Sequence, residues 1–316
     1  MPLPDFLIMG VPKAGTTALH TALHQHPELF LSQVKEPKFF LSDGPPPTGG
    51  GPGDAETYRE HVWRRADYEA LFAAAPPGTL TGESTPFYLY DLSAQRRIHA
   101  AIPRARLIVM LRDPVERAHS NWTHLWSAGL EPIDDVVRAC EAEERRVAAG
   151  WAHFWHYVGL GRYGAQLAHL FTLFPRHQVL ITRYRDLVDR PAETLDRMCA
   201  FLGVRQGLLA EAPRENVTAH PDASPRHTVL SSLRRRLPSA LAGPVEHLLQ
   251  RRGAARRPLS WDERQRLIPY FAADIGLLQR VTGEDFSDWL RPRERSGGLV
   301  GARPPGHRQS RNGRPT

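Results

Sequence analysis

Asp5-Phe-Leu-Ile-Met-Gly-Val11, Pro12-Lys-Ala-Gly-Thr-Thr17 and Ala18-Leu-His-Thr-Ala-Leu-His-Gln-His26 read in succession as an apolar strand, a short loop and a helix. A buried strand delivers the chain to a loop in which Gly15 permits a tight turn. The helix that follows points its unpaired N–H groups back at that loop, where the positive end of the helix dipole adds to them. Such a junction is an anion site by construction. Lys13 sets a mobile full charge beside it.

A second apolar run, Leu107-Ile-Val-Met-Leu111, is continuous, as in a parallel strand covered on both faces. Arg112 stands where it ends. Asp113-Pro114 supplies an N-cap and a proline at the first helical position, opening a helix to about Trp126. Ligands of open parallel sheets sit beyond the carboxyl ends of strands, so Arg112 and the Lys13 loop are expected to share one crevice.

Gly10 and Gly15 have the glycine spacing of a nucleoside-triphosphate P-loop, G-x-x-x-x-G-K-[ST], but Thr16 occupies the lysine position and the lysine lies inside the loop at 13. The Leu107–Leu111 strand ends in a cation where a magnesium-binding acid would be expected. The pair of loops thus predicts a nucleotide with phosphate at two places and no metal.

These residues resemble the sulfotransferases that use 3′-phosphoadenosine 5′-phosphosulfate (PAPS). Pro12–Thr17 is similar to their 5′-phosphosulfate loop. Leu107-Ile-Val-Met-Leu-Arg-Asp-Pro-Val-Glu-Arg-Ala-His-Ser120 is similar to their 3′-phosphate motif, an arginine at a strand end with a serine eight residues on. Val34-Lys-Glu-Pro-Lys-Phe-Phe40 and Gly82-Glu-Ser-Thr-Pro86 most resemble the heparan-sulfate O-sulfotransferase branch and its bacterial relatives. The resemblance implies an α/β fold: a single P-loop-like domain over 1–290 with a central, mainly parallel β-sheet flanked by helices. It implies PAPS as co-substrate, held by Lys13, Ala14, Gly15, Thr16, Thr17, Arg112 and Ser120. It also implies catalytic roles for Glu36 as base, for Lys13 on the bridging phosphate oxygen and for Lys38, or Lys35 in its place, beside the acceptor or the sulfonate. The chain departs from that branch at Ser84 and Thr17, where the branch carries lysine and often arginine.

The rest of the chain bounds these readings. Of 316 residues, 41% are hydrophobic and 24% charged, enough for a substantial core. The net charge of +7 favours anionic partners. Lysine occurs only at 13, 35 and 38, every other basic side chain being arginine, so the three lysines cluster near the proposed chemistry. Cys140 and Cys199 show neither disulfide nor metal spacing. No apolar run approaches the roughly 18 residues of a membrane span, and no basic leader precedes one, so the protein is expected to be soluble and cytoplasmic.

Further elements follow in order. Glu28–Leu31 reads as a short strand, Ser42–Asp54 as a flexible loop, Thr57–Ala75 as helical, and Gly82–Tyr90 as a loop leading into a helix through Ile98. A helix is expected over Arg162–Phe174, a strand over Val179–Tyr184 and a helix over Pro191–Leu202 closed by Gly203. Ser260-Trp-Asp-Glu263 is a capping box opening one last helix to about Val281. His20, His24 and His26 read as the solvated face of the first helix, and the Trp151–Tyr157 run as a wall of the acceptor cleft. The arginine-rich segment 291–316 reads as a disordered basic tail, and Gly253–Arg257 as solvated charge.

The acceptor is expected to be a hydroxyl on a small molecule or glycan, with no specific nucleic-acid or membrane partner. Two other functions fit parts of the pattern: a P-loop kinase or NTPase with a displaced lysine, and a non-enzymatic polyanion-binding protein. The first requires magnesium and the second a charged face with aromatic platforms.

Overall fold

The structure, a computed structural model, describes residues 3–211 and 258–291. The basic stretch 253–257 and the tail beyond Arg291 lie outside the described residues.

Five strands form one wholly parallel sheet: β1 (Phe6–Gly10), β2 (Leu29–Leu31), β3 (Leu80–Ser84), β4 (Arg106–Leu111) and β5 (Val179–Arg183), in the order β2-β3-β1-β4-β5. The helices among the described residues are α1 (Thr16–Leu23), α2 (Asp54–Arg59), α3 (Arg65–Ala70), α4 (Leu92–Ala101), α5 (Pro114–Ser127) and α6 (Val136–Glu141). They continue with α7 (Glu143–Ala148), α8 (Tyr163–Leu173), α9 (Tyr184–Asp189), α10 (Pro191–Leu202), α11 (Trp261–Leu267) and α12 (Pro269–Thr282).

The apolar runs become the two central strands because only there are both faces covered. Phe6, Leu7, Ile8 and Met9 of β1 and Leu107 to Leu111 of β4 have no exposed surface. Leu7 lies opposite Leu107 and Ile8 opposite Ile108. On the other side Phe6 lies opposite Gly82, where an added Cβ would sit 2.3 Å from the Phe6 ring. Glycine in β3 thus makes room for phenylalanine in β1.

The chain leaves β1 toward β2 on one side and later crosses to β4 on the other. That reversal is a topological switch point at the carboxyl edge of β1 and β4, the place where open parallel sheets take their ligands. Because every strand is parallel, the segments after β1, β2, β3 and β4 all emerge at this one edge.

Three sequence expectations change. The segment starting at Gly82 is strand β3 and not loop over Gly82–Ser84, although Glu83 and Ser84 are wholly buried. Polar residues on a buried strand hide its hydrophobic signal. Thr57–Ala75 is not one helix: α2 and α3 are separated at 60–64, where the Val62 N–H turns away to the Pro37 carbonyl at 2.8 Å. The capping box forms as expected, with Glu263 N 3.2 Å from Ser260 Oγ and Ser260 N 2.9 Å from Glu263 Oε2. The helix it opens is broken at Ile268 by Pro269, which has no N–H to give.

Both cysteines are free and buried. Among the described residues no helix is long and apolar enough to cross a membrane.

Candidate active site

The Val11–Gly15 loop continues the pairing of β1 for one residue, Val11 N donating to the Met110 carbonyl at 2.8 Å, and then turns as Ala14 N donates to the Val11 carbonyl at 3.2 Å. Two residues take left-handed backbone, Lys13 at φ 68° and Gly15 at φ 79°. Glycine at 15 is required twice over. Its φ is unfavourable for a side chain, and an added Cβ would lie 2.7 Å from the Tyr184 ring. Gly15 is also the N-cap of α1 and places no side chain on the first-turn amides. Those amides, from Thr16 onward, stay available to an anion.

Arg112 joins this loop to the end of β4. Its Nη1 donates to the Lys13 carbonyl at 2.9 Å, its guanidinium lies 5.0 Å from the Tyr184 ring centre, and the Tyr163 hydroxyl donates to its carbonyl at 2.9 Å. Arg112 and the Lys13 loop, expected to share one crevice, are thus joined at one edge of the sheet. Arg112 Nε also lies 3.6 Å from Glu116 Oε2. Ser120 is buried one turn further along α5 on the side of Glu116, as i, i+4 spacing dictates. Neighbouring Asp113 is occupied elsewhere: it caps α5 through Val115 N (2.9 Å) and pairs with Arg264 at 2.7 Å. Burial raises its carboxyl above the usual range, opposed by Arg264.

On the other side of β1, the segment after β2 carries Lys35, Glu36 and Lys38. Glu36 and Lys38, both at φ 59°, are with Lys13 the only non-glycine residues of positive φ among the described residues. Such backbone costs of order 1 kcal/mol or more each and clusters where a site needs it. Glu36 N donates to the carbonyl of Ser84 at 3.0 Å, at the end of the strand beside β1. The Ser84 carbonyl faces the β2 side of β3, so the glutamate backbone stands about two strand spacings, roughly 10 Å, to the side of β1 and the loop that follows it.

Lys35 Nζ lies 2.6 Å from Glu36 Oε1 and orients the carboxylate. Lys38 is buried, with Nζ 3.6 Å from Glu60, whose side chain is 71% exposed. A buried ammonium held by one long contact to a solvated carboxylate keeps donors for another anion.

Beneath this loop Glu83 is fully buried. Tyr68 donates to its Oε1 at 3.1 Å and Thr85 to its Oε2 at 2.8 Å, and Tyr88 also bonds it. Desolvation raises its carboxyl to about 7 against the pull of those hydroxyls.

The histidines of α1 do not form a solvated face. His24 is exposed, but His20 and His26 are buried. His26 takes the Glu28 N–H on Nδ1 at 3.1 Å and gives its Nε2 proton to the Arg205 carbonyl at 2.8 Å. His20 is lowered to about 4, first by burial and then by Lys35, and Glu36 acts on it in the opposite sense. The first helix thus runs from the Lys13 loop at its start past the Lys35–Glu36 pair, which acts on its His20.

Asp54, expected in a flexible loop, is buried. Its carboxylate takes N–H groups from Gly51 (2.5 Å), Ala152 (2.8 Å) and the Trp155 indole (2.8 Å), tying the 42–54 loop to the Trp151–Tyr157 run. Behind that run Arg146 lies 5.2, 5.0 and 5.6 Å from the rings of Trp151, Trp155 and Tyr157, and pairs with Glu131 at 2.7 and 2.8 Å. Neither Tyr184 nor the Glu83 hydroxyl cluster stands out from sequence. The one local hint is that Glu83, Thr85 and Tyr88 follow one another within six residues. Among the described residues no group of three or more His, Cys, Asp or Glu could hold a metal ion.

The Lys13 loop joined to the end of β4, with Glu36 on the flank of the sheet, can be set beside known proteins. Heparan sulfate glucosamine 3-O-sulfotransferase 6 of Homo sapiens is 30% identical over 217 residues, covering 64% of this chain and 53% of that protein. Carbohydrate sulfotransferase 15 of Mus musculus is 27% identical over 272 residues, covering 70% of this chain and 48% of that one. The chain therefore spans about half the length of these relatives. A solved sulfotransferase from Alicyclobacillus acidocaldarius superposes with a TM-score of 0.73 at 26% identity, over 92% of this chain and 100% of that one. The model of the sulfotransferase family matches residues 4–206, more than half of the sequence and all five strands, and the chain belongs to that family.

Proposed function

We propose that the protein transfers the sulfonate group of PAPS to a hydroxyl of a carbohydrate or small-molecule acceptor, releasing 3′-phosphoadenosine 5′-phosphate (PAP). The observation that carries this reading is the 2.9 Å bond from Arg112 to the Lys13 carbonyl, which brings two anion-seeking loops to one edge of the sheet. A nucleotide with phosphate at both its 5′ and 3′ ends matches such a pair, and a triphosphate does not require the second.

In this mechanism the first-turn amides of α1, with Ala14, Gly15, Thr16 and Thr17, surround the 5′ end, and Arg112 with Ser120 holds the 3′-phosphate. Glu36 takes the proton of the acceptor hydroxyl as its oxygen bonds to sulfur. The bond from sulfur to the bridging oxygen breaks, and its electron pair stays on the phosphate of PAP. Lys13 and the loop amides stabilise the charge that grows there. Lys38, buried and weakly paired, faces the sulfonate or an anionic group of the acceptor. Charge is neutralised by these cations, and the reaction proceeds without a metal.

The relatives' names point to a carbohydrate hydroxyl as the acceptor class. This chain differs where the heparan-sulfate branch carries lysine: Ser84 is wholly buried and its hydroxyl has no hydrogen-bond partner. That side chain cannot reach an acceptor, so we infer a glycan or small molecule that does not depend on a cation there.

Calorimetric titration with PAP, with ATP and magnesium, and with heparin tests the donor assignment. Tight binding of PAP supports it. Tight binding of magnesium ATP with none of PAP points to a kinase, and binding of heparin alone to a polyanion-binding protein; either result overturns the proposal.

A further inference from the structure

The loop that carries Glu36 is fastened through alternate amides. Glu36 N donates to the Ser84 carbonyl at 3.0 Å, Lys38 N to Thr85 Oγ1 at 3.2 Å and Phe40 N to the Tyr88 hydroxyl at 3.3 Å. Pro37 between them has no amide proton, and its carbonyl takes the Val62 N–H at 2.8 Å. Two of the three fastenings are therefore side-chain hydroxyls, and both hydroxyls also bond Glu83.

A hydroxyl has one proton and lone pairs to spare. When that proton goes to a carboxylate, only the lone pairs are left facing outward, and they must accept. Thr85 gives its proton to Glu83 at 2.8 Å, which forces its oxygen to receive the Lys38 N–H. Tyr88 is set in the same way toward Phe40 N. Tyr68 takes up the other carboxylate oxygen at 3.1 Å, so the cluster leaves Glu83 surrounded by donors and without exposed surface.

Resting on the sulfotransferase reading, we infer that Glu83 is a positioning residue for the base: it orients the Thr85 and Tyr88 hydroxyls so that they hold the left-handed Glu36–Lys38 backbone in place. Glu83 does not touch substrate. A glutamine could still hold Thr85 on its oxygen by turning its NH₂ to Tyr68, which fastens no loop amide, but a leucine accepts no proton, so the Thr85 and Tyr88 protons are no longer held inward and can swing toward the amides their oxygens now serve. The loop loses a fastening although the volume of the core is little changed.

The test compares the parent protein with Glu83→Leu, Tyr88→Phe, Glu36→Gln and the double variant Glu36→Gln/Glu83→Leu. Hydrogen–deuterium exchange is followed with and without PAP, and PAPS turnover is followed with 4-nitrophenol and a heparan-sulfate hexasaccharide as probe acceptors. In Glu83→Leu, exchange over 35–40 rises and kcat falls by roughly tenfold or more, the usual scale for a misplaced catalytic group. The KM for PAPS, the Kd for PAP and exchange over 11–17 stay within about twofold, a split that loss of stability alone would not give. Tyr88→Phe moves the same quantities in the same direction by less and serves if Glu83→Leu does not fold. In the Glu36→Gln background Glu83→Leu lowers kcat no further, because a residue that acts through the base has nothing left to act on.

Unchanged exchange over 35–40, or a kcat loss that adds in full to that of Glu36→Gln, overturns the inference. A parent protein that neither binds PAP nor consumes PAPS overturns the sulfotransferase reading instead. The exchange comparison on the free protein would still decide what Glu83 does to the loop.

Discussion

Replacing Arg112 with alanine removes two things at once, and a pair of nucleotides separates them. The side chain is 17% exposed, and its guanidinium donates to the Lys13 carbonyl at 2.9 Å and lies over the Tyr184 ring, 5.0 Å from its centre. Loss of the bond to the loop and of the cation–π contact loosens the 5′ cradle by about 1–2 kcal/mol. Loss of the proposed charge-assisted bond to the 3′-phosphate costs a further 1.5–3 kcal/mol or so. PAP feels both effects and should bind roughly a hundredfold to several thousandfold more weakly. Adenosine 5′-phosphate has no 3′-phosphate, feels only the first and should lose about 5- to 30-fold. Arg112→Lys keeps a charge but cannot serve carbonyl and phosphate together, so it should fall between. Isothermal titration of both nucleotides reads the difference directly. Equal losses for the two, or a loss for PAP below about threefold, would refute the two-ended cradle.

Other predictions follow from packing and burial. Gly15→Ala forces a side chain into left-handed backbone 2.7 Å from Tyr184. It should lower stability by about 2–4 kcal/mol, seen as a lower urea midpoint, with part regained in Gly15→Ala/Tyr184→Ala; an unchanged midpoint would contradict the packing. Glu131→Ala strands Arg146, which now has two bonds of 2.7 and 2.8 Å to a fully buried carboxylate. A loss of about 3–5 kcal/mol in unfolding free energy is expected, with PAP affinity of the folded protein retained.

Stability should also vary with pH in two opposed ways. Burial holds His20, His61 and His156 near 4, so each contributes stability that is full above its unfolded value of 6.5 and is lost as pH falls toward 4. Glu83, raised to about 7 by burial, contributes stability that is full below 4.5 and is lost as pH rises through 7. The carboxyls of Asp113, Glu143 and Asp274, also raised by burial, act in the sense of Glu83, so the difference between variants is the reading that isolates Glu83: from pH 4 to 6.5 the melting temperature should change more in the upward direction in Glu83→Gln than in the parent. The same pH dependence in both would count against the assignment.

The parts of the site that could be read from sequence obey local rules. The strand, loop and helix around Lys13 announce themselves through an apolar run, a glycine and a helix start. Arg112 is marked by its place between an apolar run and Asp113-Pro114. Pro37, which can neither donate to a ladder nor sit inside a helix, keeps the Glu36 segment out of strand and α-helix.

What could not be read depends on partners distant in the chain. Glu83 looks like part of a polar loop until β1 and β2 enclose it as strand β3, and Tyr68 reaches it from α3. His26 looks solvated until the Arg205 carbonyl, 179 residues away, takes its proton. Asp54 looks like a loop end until the amides of Gly51 and Ala152 and the indole of Trp155 meet it. A buried polar residue carries no periodic signal of its own, because what permits its burial is a hydrogen-bond partner that only the fold supplies.

The central claim is the transfer itself. The most direct measurement incubates the protein, with EDTA present, with PAPS and a panel of glycan, phenolic and aliphatic hydroxyls, and follows PAP formation and acceptor mass together. The account predicts that one acceptor class gains a sulfonate in step with PAP release. It also predicts that Glu36→Gln, still binding PAP, transfers roughly a hundredfold or more slowly, as expected when a general base is lost. Transfer by Glu36→Gln at the parent rate, or phosphate moved from magnesium ATP with no sulfonate gain from PAPS, would contradict it.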